Sequence, residues 1–70
     1  MDRQSVPSSN LSSVGYDEST ETLEVQFQNG SIFQYHGVPK ETHGQLVNAR
    51  SVGSFFSSNI KNTFEHSKLS

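Results

Sequence analysis

The chain has no cysteine, which removes both a disulfide framework and any thiolate metal site and suits a reducing compartment. No apolar run comes near the roughly 18 residues of a membrane helix, and no hydrophobic signal-peptide stretch follows Met1. A soluble cytoplasmic protein is therefore expected. Positive charge is scarce: five Lys and Arg stand against seven Asp and Glu, for a formal net charge of −2. A duplex-binding domain ordinarily carries a basic stripe; here the overall field mildly repels phosphate and argues against long-range steering onto DNA. Apolar residues are few as well, 30% of the 70 residues, enough for one small core. That core must lean on five Phe and two Tyr, since each ring buries on the order of 150–250 Å². One domain, near the lower size limit for folding without staples, is what this length allows.

Recurring chemical motifs are missing too. His36, His43 and His66 match no metal-ligand spacing. Gly30, Gly37, Gly44 and Gly53 are scattered rather than gathered into a phosphate loop. No nucleophile and base stand out together, because with 13 Ser some Ser–His pairing can be drawn in any fold. Neither a cofactor nor a catalytic centre is expected.

What the chain does have is a hairpin. Leu23, Val25 and Phe27 alternate with Glu24, Gln26 and Gln28, the period of a half-buried strand. Asn29-Gly30 turns the chain, and Ser31 to His36 returns with Phe33 and Tyr35 in phase. A two-residue turn pairs Val25 with Gln34 and puts the two sets of large residues on opposite faces. A three-residue loop, Gln28-Asn29-Gly30, with Gly30 left-handed, pairs Val25 with Phe33 and Leu23 with Tyr35. All five large residues then share one face. Burial favours the three-residue loop, with Ile32, Gln34 and His36 on the other face.

Upstream, Leu11 to Tyr16 reads as a first strand, with Val14 and Tyr16 in phase and Gly15 marking a bulge or a close backbone approach. Asp17 to Glu21 is a polar connection of ordinary length. Downstream, Pro39 opens a helix predicted to run to Asn48, with Glu41 in its first turn. Gly44 costs that helix about 1 kcal/mol relative to Ala. Ser51 is a natural cap for a second helix, whose stripe is Val52, Phe55, Phe56 and Ile60, with Phe64 closing one margin. Met1 to Asn10 and His66 to Ser70 are polar and without periodicity. The expected organisation is a flexible arm (1–10), one domain (11–65) and a flexible tail (66–70). The expected fold class is α+β: a three-stranded antiparallel meander followed by two short helices packed on one face. Phe27, Phe33, Tyr35, Leu46, Phe56 and Ile60 should be buried together.

Several pieces, in this order and spacing, resemble the KTSC domain: Val14 to Asp17, Thr22 to Gly30, Tyr35 with Val38-Pro39, and Ser51 to Phe56 with Asn59 to Lys61. The resemblance spans about Leu11 to Phe64. His43 stands where that family often has an aromatic residue, and Ser57 where it often has Asn. The family is named for its place at the C-terminus of some lysyl-tRNA synthetases, and it also occurs as small stand-alone proteins. The resemblance thus implies a small module associated with RNA or DNA metabolism.

Within the residues themselves, the best candidate for a binding site is Arg50-Ser51-Val52-Gly53. A helix start with a capping Ser and a small Gly offers N–H groups to an anion, though capping by itself explains it equally well. Lys61 follows at a distance that suits a second phosphate. Arg50, Ser51, Gly53 and Lys61 are the candidate binding residues. The expected function is a small non-catalytic binding module, monomeric, for RNA or beside a nucleic-acid enzyme. A protein-interaction or structural module without nucleic-acid contact is the alternative, which the low charge favours. Tyr16, Phe33 and Tyr35 suggest a base-stacking platform, but the register that buries Phe33 and Tyr35 assigns them to the core.

Overall fold

A computed structural model describes residues 1–70. Burial sets the register of the central hairpin. Strands β3 (Thr22–Phe27) and β4 (Ile32–His36) pair Val25 with Phe33 and Leu23 with Tyr35. The Phe27 N–H donates to the Ser31 carbonyl at 2.9 Å, closing a three-residue loop in which Gly30 has φ +92°. That angle is open to Gly and costly for a β-branched residue. The Asn29 side chain adds its own support by accepting from the Ser31 N–H at 2.9 Å.

Strand β2 (Leu11–Asp17) pairs antiparallel with β3, placing Val14 opposite Val25 and Tyr16 opposite Leu23. A bulge between Leu11 and Ser13 supplies one extra residue. It corrects the phase so that Leu11 and Val14, an odd number of positions apart, both reach the core. Helices α1 (Lys40–Val47) and α2 (Val52–Asn59) then cover the apolar face. Pro39 takes the N-cap position of α1 and has extended backbone.

The core comprises Leu11, Val14, Leu23, Val25, Tyr35, Val38, Leu46, Val52, Phe56 and Ile60. Tyr35, Leu46, Phe56 and Ile60 are buried together as expected. Phe27 and Phe33 are not fully buried: both are partly buried and pack against the core from its rim. An eight-residue helix is about 12 Å long, whereas a six-residue strand runs about 20 Å. Helices this short cover the middle of the hairpin and leave its tip partly open.

The sheet has five strands rather than the three expected, in the order β1-β2-β3-β4-β5. β1 (Gln4–Ser5) pairs with β2 and β5 (Glu65–Lys68) pairs with β4. The segments read as a flexible arm and tail each contribute one edge strand. All six residues of these strands are exposed. An edge strand held by backbone pairing along one side needs no alternation of apolar residues, so neither strand leaves the usual trace in sequence.

The N-terminal segment closes over the second face of the sheet. Gly15 permits this: a Cβ there would stand 2.5 Å from the Asp2 carbonyl oxygen and 3.1 Å from Arg3 Cγ. Arg3 forms an ion pair with Glu24 and donates from Nε to Ser13 Oγ at 3.2 Å. Gln34 Nε2 donates to the other Glu24 oxygen at 3.0 Å. Burial by itself would raise the Glu24 pKa, but the hydrogen bonds from Gln34 and Arg3, together with the Arg3 charge, hold it below the ordinary carboxylate value.

Candidate functional site

Ser51 caps α2 as its position in the sequence suggested. Its backbone is extended (φ −122°, ψ 100°), and its hydroxyl accepts from the Ser54 N–H at 3.3 Å. The Ser51 carbonyl takes the Phe55 N–H at 3.0 Å. Gly53, one turn-start further on, is where the N-terminal loop leans on the helix. A Cβ on Gly53 would meet Ser8 Oγ at 3.1 Å. Ser8 in turn accepts from the N–H groups of Asn10 and Leu11, both at 3.1 Å, which fixes the loop leading into β2.

Two adjoining clefts run along α2. One, of about 400 Å³, has only polar, Gly and Pro residues on its walls, among them Ser8, Arg50, Ser51, Gly53 and Ser54. The other, of about 380 Å³, lies at the hairpin tip between Leu11, Phe27, Gln28, Asn29, Phe56 and Lys61. Asn10 and Ser57 line both. The structure therefore brings Arg50, Ser51 and Gly53 into one cleft and sets Lys61 on the wall of its neighbour. Lys61 also borders a shallower hollow running to His66. Asn10, Phe27, Gln28 and Asn29 carry no sequence signal as site residues, because they reach α2 only through tertiary packing: the hairpin tip through Phe27 on Phe56, and Asn10 through the loop that leans on Gly53.

Charge is separated along the strands. Of the five cations, Arg3 pairs with Glu24, and Lys40 reaches Glu18 at 3.5 Å. Arg50, Lys61 and Lys68 have no ion-pair partner. Asp17 ends β2, Glu18 and Glu21 lie in the β2–β3 turn that follows, and Glu41 is nearby on α1. Burial first, and then the charges of Glu21, Glu18, Glu41 and Asp17, push the Tyr16 hydroxyl pKa up. The clefts with Arg50 and Lys61 lie at the opposite end of β2 and β3, so the net charge of −2 conceals a cationic end.

The histidines go to three separate places. His36 Nε2 is 3.2 Å from Ser67 Oγ. His66 leans on the rings of Tyr35 and Phe33. His43 stacks on Tyr16 with ring centroids 4.5 Å apart and planes 7° from parallel. In that position it acts as an aromatic ring, and burial lowers its pKa. No three His, Asp or Glu gather in a way that would hold a metal ion, and no helix is long and apolar enough to cross a membrane.

The chain is similar to several known proteins. A family model described as the KTSC domain matches residues 7–64. The crystal structure of a KTSC domain protein from Yersinia pestis superposes with a TM-score of 0.93 at 41% identity, covering 99% of this chain and 97% of that one. An uncharacterised protein of Stutzerimonas stutzeri is 39% identical over 87% of this chain and 86% of its own length. A lysine–tRNA ligase of Trichormus variabilis is 38% identical over 79% of this chain, but the match spans only 10% of the ligase.

Proposed function

The chain belongs to the KTSC domain family, and from that premise we propose that it is a small non-catalytic binding module for RNA, acting as a monomer in the cytoplasm. The observation that carries this reading is the placement of Arg50 and Lys61, two cations without ion-pair partners, along adjoining clefts at the end of the sheet away from the acidic cluster. Arg50 offers a planar fork that matches phosphate oxygens. The hydroxyls around it add neutral donors, and the first N–H groups of α2 add partial positive charge. The match to a segment of a lysine–tRNA ligase supports RNA as the ligand class.

The protein-interaction reading has one observation of its own. The outer edge of β5 is exposed along all four residues, a place where an extended partner segment adds a strand. Its charged Glu65 and Lys68 blunt that edge, which favours the RNA reading.

The test is titration of short single-stranded RNAs with the parent and an Arg50→Ala, Lys61→Ala double variant at several salt concentrations. The double variant should stay folded, lose most of its affinity at low salt, and show a salt slope shallower by about one to two, since each phosphate contact contributes roughly 0.7 for single strands. Equal binding by parent and variant, or no binding by either at low salt, would refute the assignment and move the β5 edge into first place.

A further inference from the structure

We propose that the cleft at the hairpin tip receives one unpaired nucleobase, so that the two adjoining clefts together take a nucleotide of a single strand; this rests on the RNA reading above. The two clefts differ in the way the two ends of a nucleotide differ. The cleft containing Arg50 is lined mainly by hydroxyls, with the Arg50 guanidinium and the Asn10 carboxamide, as a sugar-phosphate needs. The tip cleft combines a partly buried ring, Phe27, with carboxamides at its rim. Its volume of about 380 Å³ lies within the roughly 300–1,000 Å³ of small-ligand sites. Asn10 and Ser57 occupy the junction, and Lys61 stands beside the tip cleft, where the next phosphate would pass.

The rim is preorganised. Asn29 Oδ1 is taken by the Ser31 N–H at 2.9 Å, which leaves its Nδ2 as a free donor. Gln28 Nε2 donates to the carbonyls of Ser8 and Leu11, each at 3.2 Å, which leaves its Oε1 as a free acceptor. Backbone partners thus decide which end of each carboxamide is free. A fixed donor next to a fixed acceptor is the complement of a base edge. Phe27 is held by edge-to-face contacts with Phe33 and Phe56, both at 5.6 Å, and supplies a rigid surface for stacking. In a duplex the base edge is already paired and the base face already stacked. The site therefore discriminates against paired nucleic acid.

Fluorescence anisotropy at low salt tests this with three probes: a single-stranded RNA hexamer, the matched duplex, and a strand of equal length whose nucleotides are all abasic. The single strand should bind about tenfold or more tightly than the other two, in keeping with base stacking on aromatic residues. Phe27→Leu should remove most of that difference while Arg50→Ala weakens all three probes. Because Phe27 contributes to the core rim, Asn29→Ser serves as a second variant. It keeps an oxygen for the Ser31 N–H, and it should weaken the single strand several-fold and leave the abasic strand unchanged. If all three probes bind alike and neither variant at the tip alters the ratio, the base site is overturned while the phosphate reading stands. If no probe binds, both fall together.

Discussion

Replacing Gly15 with Ala tests how the N-terminal segment is held. The new Cβ would meet the Asp2 carbonyl oxygen at 2.5 Å, Arg3 Cγ at 3.1 Å and Met1 Cγ at 3.2 Å. The first of these is backbone and cannot swing aside. Strand β2 is paired along its length with β3, whereas β1 pairs through two residues, so β1 is the element that gives way. With it go the Arg3 bonds to Glu24 and Ser13. A charge-assisted bond contributes about 1.5–3 kcal/mol and a neutral one about 0.5–1.5. Two effects reduce the loss: the Arg3 side chain is already 26% exposed, and Glu24 regains water once the segment leaves. Ala in a strand also returns about 0.5–1 kcal/mol relative to Gly. The expected net cost is about 1–3 kcal/mol, against a total of about 3–5 for so small a core. Urea denaturation should show it as a lower midpoint. Amide exchange should show loss of protection at Val6, whose N–H reaches the Ser12 carbonyl at 3.3 Å, with Val25 and Tyr35 losing only as much protection as the shift in midpoint implies. The decisive control is a chain lacking residues 1–6, in which Gly15→Ala should be neutral or slightly stabilising. An equal cost with and without residues 1–6 would refute the close-approach argument and place the requirement for Gly15 within β2 itself.

Phe56→Ala removes a ring that is 2% exposed and packs edge-to-face on Tyr35 at 5.2 Å and Phe27 at 5.6 Å. It should cost about 3–5 kcal/mol, enough to abolish the cooperative thermal transition; a variant melting near the parent temperature would remove α2 from the core. His43 predicts a pH dependence. Its pKa in the fold lies below the ordinary 6.5, so the unfolded chain binds the proton first. The stability it contributes is complete above about pH 6.5 and is lost as pH falls through the folded value. His43→Phe keeps the stack on Tyr16 and should flatten the decline in denaturation midpoint just below pH 6.5. The Glu24 contribution, lost at lower pH as its depressed pKa is reached, should remain in that variant.

The hairpin was legible in the sequence because its information is local. Leu23, Val25 and Phe27 share a face only with Phe33 and Tyr35 in one register, and Gly30 allows the loop which that register needs. Ser51 was legible as a cap because the bond it accepts comes from three residues away. The family and the α+β class follow from the same short-range signals. The tertiary structure decided the rest. Strands β1 and β5 are polar edges held by backbone pairing, and backbone hydrogen bonds do not depend on which side chain is present. The half-burial of Phe27 and Phe33 reflects how far two eight-residue helices reach. Arg50, Ser51 and Gly53 were readable as neighbours in sequence, but the cleft they share with Asn10 and Ser57 forms where Ser8 seats on Gly53. That contact joins residues 45 positions apart, and no periodicity within either segment encodes a distance between them.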